Sequence, residues 1–143
     1  MKFAKIIMLN FAFLTLSGCV GGLTDRQDRE YAAFENDGVL VEEKTPTLGA
    51  LLGVLPGAGS FYTGNPGRGI TNLLLWPFSI LWEPVNGWNG ARKINYDMTA
   101  YRLKKQHEKE LLILEFQYKN GEIDNNEYYF KLQRLTQKYQ YQY

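Results

Sequence analysis

The chain has little of the chemistry on which most enzymes depend. Its 143 residues include one cysteine and one histidine. A lone Cys19 excludes an internal disulfide. His107 stands in His-Glu-Lys-Glu, without the second histidine of the His-Glu-x-x-His zinc-protease helix, and reads as part of a solvated helix face. Beyond the N-terminal stretch the only serines are Ser60 and Ser79, both inside apolar sequence with no histidine near. Chain order alone does not exclude a Ser-His-Asp triad, but no feature points to one. Glu42-Glu43 and Glu108 with Glu110 read as solvated charge. Excess charge is also lacking, with 16 Lys+Arg against 15 Asp+Glu. The chain therefore has no field for steering toward nucleic acid. A series of alternating ten-residue strands is missing, which excludes an outer-membrane barrel.

What is present is a long apolar stretch, Leu48 to Trp88, around which the rest is arranged. Its first run, Leu48 to Pro56, and the turn after it carry Gly49, Gly53 and Gly57 at four-residue spacing. On a helix these form a stripe that lets another backbone approach closely. The second run, Ile70 to Val85, has no charge before Glu83 and is interrupted by Pro77. A helix of this length spans about 24 Å, against the ~30 Å of a bilayer core. A hairpin that spans, re-enters or lies on the membrane fits the pattern; a buried core hairpin of a soluble domain competes with it. Trp76, Trp82 and Trp88 suit a membrane–water interface. Glu83 closes the second run, as a snorkelling helix-end group or as a functional ionisable one. Gly59 and Gly64 have P-loop spacing. Asn65-Pro66 follows, however, where Lys and Ser or Thr would be needed, so no nucleotide partner is expected.

The turn resembles a known family. Gly57-Ala58-Gly59-Ser60-Phe61-Tyr62-Thr63-Gly64, followed by Gly67 and Gly69, is similar to the signature of the transmembrane-two domain, over roughly residues 47–97. The resemblance implies two short membrane helices joined by a tight turn. Pro56, Asn65-Pro66 and Pro77 depart from the pattern and bear on continuous spanning.

At the N-terminus, Lys2 and Lys5 precede an apolar core from Ile6 to Leu16 that is too short to cross a bilayer. Leu16-Ser17-Gly18-Cys19 resembles the lipobox of bacterial lipoproteins. The resemblance implies cleavage before Cys19 and acylation of its thiol and new amine. Two or three acyl chains anchor effectively permanently, where one alone is marginal. Val20 stands where an Asp would suggest inner-membrane retention, so the resemblance favours the periplasmic face of the outer membrane, with the inner membrane possible. Removing Lys2 and Lys5 leaves 14 basic against 15 acidic residues.

Val20 to Gly22 reads as a tether. A short helix from Thr24 to Glu35 is expected, with Thr24 and Gln27 at capping-box spacing and Tyr31 and Phe34 on one face. Asn36-Asp37-Gly38 ends it, Val39 to Val41 reads as briefly extended, and Glu42 to Thr47 as a polar lead. Asn86, Gly87, Asn89 and Gly90 read as a turn, with Arg92 and Lys93 after it at headgroups or in solvent. Tyr96 to Lys119 reads as one long helix, ended by Asn120-Gly121. Asp124 caps a second helix with stripe Tyr128, Leu132, Leu135 and Tyr139, antiparallel to the first, whose stripe is Leu111, Leu114 and Tyr118. Tyr139, Tyr141 and Tyr143 read as a frayed or disordered tail. Gly121, Ile123, Asp124, Glu127, Tyr128 and Leu135 resemble the short C-terminal domain of bacterial membrane proteins, which implies docking or oligomerisation.

The expected fold is mostly α: a hydrophobic helical hairpin, a long helix and an antiparallel C-terminal helix pair. The expected organisation is a leader over 1–18, an acylated tether with a short helix over 19–47, the hairpin over 48–97 and the helix pair over 98–143. The expected function is non-enzymatic: an envelope lipoprotein held by Cys19 acyl chains and the hairpin. Tyr128, Leu132 and Leu135 would serve self-association or another envelope protein. Its partners would be membrane lipid and protein, with no nucleic acid, metal or cofactor. The alternative is a membrane enzyme or accessory subunit with a site near Tyr62, Arg68 and Glu83.

Overall fold

The computed structural model describes residues 22–139. The leader, the lipobox with Cys19, and Tyr141 and Tyr143 lie outside the described residues. Helices hold about three quarters of the described chain, and no strand occurs among the described residues. In order they are α1 (Asp25–Asn36), α2 (Pro46–Leu52), α3 (Ala58–Tyr62), α4 (Pro66–Leu74), a 3-10 turn (Phe78–Leu81), α5 (Glu83–Lys119) and α6 (Asn125–Lys138). Two compact units result. Of the described residues, the first holds Glu42–Asn95 and 22–28; the second holds Arg29–Val41 and 96–139.

α1 begins as a reciprocal capping box: the Gln27 N–H donates to Thr24 Oγ1 at 3.3 Å, and the Thr24 N–H donates to Gln27 Oε1 at 3.0 Å. The 37-residue α5 contributes a stripe of buried positions four apart, Glu83, Gly87, Ala91, Asn95 and Thr99, that holds no large apolar side chain.

In the first unit the apolar stretch is not a two-helix hairpin, and no helix among the described residues is long and apolar enough to cross a membrane. Proline and glycine divide it. Pro56 and Gly57, the latter at φ 70°, separate α2 from α3, and Gly64, at φ 76°, ends α3. Pro66 and Pro46 occupy first helical turns, where a missing N–H costs nothing. Pro77 stands between α4 and the 3-10 turn.

The expected turn at Asn86 to Gly90 is also corrected: it lies inside α5, which starts at Glu83 and not near Tyr96. These glycines answer a packing need. A Cβ on Gly87 would overlap the Gly49 carbonyl, and one on Gly49 would overlap the Gly87 carbonyl. Gly53 meets Glu83 and Pro84 backbone in the same way, and Gly90 meets the Thr63 side chain. Backbone contact at Gly49, Gly53 and Gly87 outweighs the ~1 kcal/mol that each costs in helix propensity. Asn95 clamps the approach to α2: the Lys44 N–H donates to Asn95 Oδ1 at 2.8 Å, and Asn95 Nδ2 donates to the Lys44 carbonyl at 2.7 Å. Arg92, expected at headgroups or in solvent, pairs with Asp28 at 2.8 Å.

The second unit is built on conventional lines. Tyr31 and Phe34 are buried, and Phe34 stacks on Tyr96 with ring centroids 5.8 Å apart. The N–H groups of Val39 and Leu40 both donate to the Phe34 carbonyl, so this short segment wraps the end of α1. Gly121, at φ 73°, stops α5, and the Glu122 N–H returns to the Gln117 carbonyl at 2.9 Å. Asp124 accepts from the Glu127 N–H at 2.8 Å and starts α6. α5 and α6 run antiparallel. Tyr118 stacks on Tyr128 at 4.6 Å beside the turn, and Lys138 reaches Glu110 at 2.7 Å at the far end. Leu114, Ile123, Leu135 and Tyr139 form the core, with Leu103, Leu111, Tyr128 and Leu132 against it.

Two expectations fail here, and of the two readings of Tyr139 the stripe holds: it is buried core, not frayed tail. His107 stacks on its ring at 5.0 Å and is not a purely solvated residue. Glu110 is held by Lys138 and by the Tyr139 hydroxyl, which donates to it at 2.8 Å.

Candidate functional site

The first unit distributes its side chains in reverse of an ordinary globular core. Between Glu42 and Asn95 its buried residues are Gly49, Gly53, Gly57, Gly59, Ser60, Thr63, Gly69, Asn72, Ser79, Glu83, Gly87, Gly90, Ala91 and Asn95. Ala91 is the only apolar side chain among them. The large apolar residues face outward on every element: Leu51 on α2, Phe61 on α3, Ile70 and Leu74 on α4, Phe78 and Leu81 on the 3-10 turn, Val85 and Trp88 on α5. Leu74 is 78% exposed and Leu81 77%. Scattered exposed leucines are unremarkable; large apolar side chains exposed on every element, over a polar interior, are not.

At the centre is Glu83, with a relative exposure of 0%. It was expected at a helix end, reaching for water. Instead the start of α5 carries it inward. One carboxyl oxygen accepts from the Ser60 N–H at 2.7 Å, and the other accepts from Asn72 Nδ2. Asn72 Nδ2 also lies 3.1 Å from Ser60 Oγ, and Asn72 Oδ1 accepts from the Trp82 indole N–H at 3.1 Å. Thr63 Oγ1 is within 3.1 Å of the Gly59 carbonyl and 3.2 Å of the Ser60 carbonyl. Three elements thus meet on one carboxyl group. A buried acceptor with its donors in place fixes a unique packing; one left unpaired would cost about 1–3 kcal/mol.

The other expected site residues divide. Gly57 and Gly69 are joined, since a Cβ on Gly57 would overlap the Gly69 carbonyl, and the Phe61 ring lies on Gly69. Gly59 rests close to Gly53. Gly64 supplies the turn, whereas Gly67 has open space around it and nothing in the structure requires its lack of a side chain. Tyr62 is not brought to Glu83: its hydroxyl accepts from the Thr45 N–H at 2.9 Å, and the Lys44 ammonium lies 4.7 Å above its ring. Arg68 is half-buried on α4. Tyr128, Leu132 and Leu135 belong to the helix-pair core and do not form a free surface.

Beside that core, Glu110, Ile113, Leu114, Gln117, Lys131, Arg134, Leu135 and Lys138 line an open groove of about 340 Å³. There the hydrogen bond from Lys138 holds the Glu110 carboxyl below its usual range, and the same bond holds the Lys138 ammonium above its own. Burial, followed by the bond to Glu110, raises the Tyr139 hydroxyl. Among the described residues no group of His, Cys, Asp or Glu is placed to hold a metal ion.

Asn72 and Trp82 were not anticipated as part of the site. The signal was available: Asn72 is a carboxamide inside an apolar run, at a position where solvent was not expected. Comparison with family models, curated proteins and solved structures finds no match for this chain.

Proposed function

We propose that this chain is a non-enzymatic lipoprotein of the bacterial envelope. Acyl chains on Cys19 and the apolar exterior of the first unit hold it to the membrane, and the C-terminal helix pair docks a partner or a second copy. The supporting observation is the reversed distribution in Glu42–Asn95, with polar groups inside and leucines, phenylalanines and tryptophans outside. Each such side chain contributes on the order of 1.5–3 kcal/mol on leaving water. A few of them together exceed the marginal hold of a single acyl chain.

The test replaces residues 1–19 with a secretory leader that lacks the cysteine. The protein is expected to stay with the membrane fraction and to resist extraction by high salt. Recovery of a soluble, folded, monodisperse protein would make Cys19 the sole anchor and defeat the reading of the first unit.

The alternative, a site for chemistry around Tyr62, Arg68 and Glu83, has less support. Glu83 is occupied by Ser60 and Asn72, and Tyr62 is turned to Thr45.

A further inference from the structure

The position of Cys19 along the chain, relative to the first unit, restricts how both can meet a membrane. Three peptide steps separate Cys19 from Gly22, so the two lie within about 11 Å even when the chain is fully extended. Gly22 in turn packs on α5: a Cβ there would stand 3.5 Å from Asn89 Cγ. Asn89 directly follows Trp88, one of the outward-facing apolar residues of the same unit. The acylation point is therefore no more than about 11 Å of chain from a residue that rests on α5 within this unit.

Two further features concern depth and occupant. The longest helix lying wholly inside the apolar stretch is α4, with nine residues. It measures about 13 Å, under half of a ~30 Å hydrocarbon core. Between Thr45 and Ala91 the only charged residues are Arg68 and Glu83, and Glu83 is wholly buried. An exterior this neutral, with apolar side chains contributed by every element, matches acyl chains. A protein partner would be expected to cover one face.

We propose that the Cys19 acyl chains and the apolar exterior of Glu42–Asn95 enter the same leaflet of one membrane, with the unit resting in that leaflet and not crossing to the other. This rests on the lipoprotein reading above and adds its topology. The polar network on Glu83 then faces protein on all sides and never meets lipid. The short helices need only keep their backbone groups paired to depths of one leaflet.

The experiment uses the acylated protein, beginning at Cys19, inserted from outside into preformed phosphatidylcholine vesicles loaded with a membrane-impermeant maleimide. Asn65→Cys places a thiol in the turn between α3 and α4, and Glu122→Cys places one in the turn between α5 and α6. The same variants are inserted into vesicles of brominated phosphatidylcholine, where the fluorescence of Trp76, Trp82 and Trp88 reports contact with acyl chains. The expected result is a fall in fluorescence by about half or more, with neither thiol reacting with the trapped reagent. Quenching together with reaction of the thiol at position 65 means that the stretch crosses; this overturns the single-leaflet inference and leaves the membrane reading standing. Absence of quenching means that the unit is outside the bilayer, which defeats the inference and the membrane reading together.

Discussion

The two units of this chain bury opposite chemistry. In the second, Leu114, Ile123, Leu135 and Tyr139 are inside while Lys104, Lys105 and Glu108 face solvent. In the first, glycine backbone, Ser60, Asn72 and Glu83 are inside while Leu51, Leu74, Phe78 and Leu81 are outside. The same helix serves both. Along α5 the buried positions run through Glu83, Gly87, Ala91, Asn95 and Thr99, and farther on the core is joined by Leu103, Leu111 and Leu114. Helix formation is indifferent to which kind of face it buries; the surroundings of each face decide what holds it. The second unit gains from removing apolar surface from water. The first gains from close backbone contact and from hydrogen bonds that strengthen in a low-dielectric environment.

The contrast is broken or sharpened most strongly by truncating one leucine in each unit. Leu114→Ala should cost about 2–5 kcal/mol, the range for a buried leucine that leaves a cavity. Leu74→Ala, at a side chain exposed in the structure, should change stability by no more than about 0.5 kcal/mol in detergent. Denaturant unfolding of both variants in the same micelles makes the comparison, and equal losses would erase the distinction.

A smaller effect is expected from Gly87→Ala. Helix propensity alone would make it stabilising by about 1 kcal/mol. The overlap with the Gly49 carbonyl should reverse the sign, to a loss of roughly 1–3 kcal/mol. A rise in the unfolding midpoint of the first unit would show that the two backbones are not in contact.

The smallest effect belongs to Glu110 and Lys138. The carboxyl group sits below its usual range, so its contribution is present above the unfolded value and lost as pH falls through the lowered folded value. The ammonium sits above its usual range, so its contribution is present below the unfolded value and lost as pH rises through the raised folded value. The pair therefore stabilises α6 across neutral pH and fades at both extremes. The Glu110 and Lys138 side chains are 40% and 58% exposed, which limits the effect to about 1 kcal/mol or less. Glu110→Gln should flatten the acid limb of the pH–stability curve, and an unchanged limb would remove the pair from the account.

The second unit was largely legible in the sequence because its signals are local and agree with one another. Gly121 and Asp124 mark the turn, and the leucine spacing marks the stripe. Tyr139 reads both as the last member of the α6 stripe and as the start of an alternating Tyr-Gln tail; the stripe holds, and what no local pattern shows is its bond to Glu110, 29 residues away. The first unit was legible in composition but not in architecture. Asn86 to Gly90 carries every local sign of a turn, yet helix wins there because Gly49 and Gly53 lie close against Gly87 and Pro84, a contact that no local rule contains. The prolines, together with the left-handed glycines, cut two expected helices into α2, α3, α4 and a 3-10 turn. Glu83 reads as a helix-end group reaching for water or as a functional ionisable one; neither reading contains Asn72 and the Ser60 N–H, distant in sequence, which receive its carboxyl group inside the unit.

Asn95 does for Lys44 what a neighbouring strand would do, offering one donor and one acceptor to the backbone of a single residue. A side chain is thereby used as a one-residue template. Its polarity is directional: the oxygen must meet the N–H, and the nitrogen must meet the carbonyl. Aspartate, nearly the same in size and shape, would set two oxygens against that pattern and confront the Lys44 carbonyl with another acceptor. Leucine, also similar in volume, would offer nothing to either group. At this position hydrogen-bond direction is the quantity that matters, and spontaneous loss of the amide nitrogen would be a change of meaning with almost no change of form.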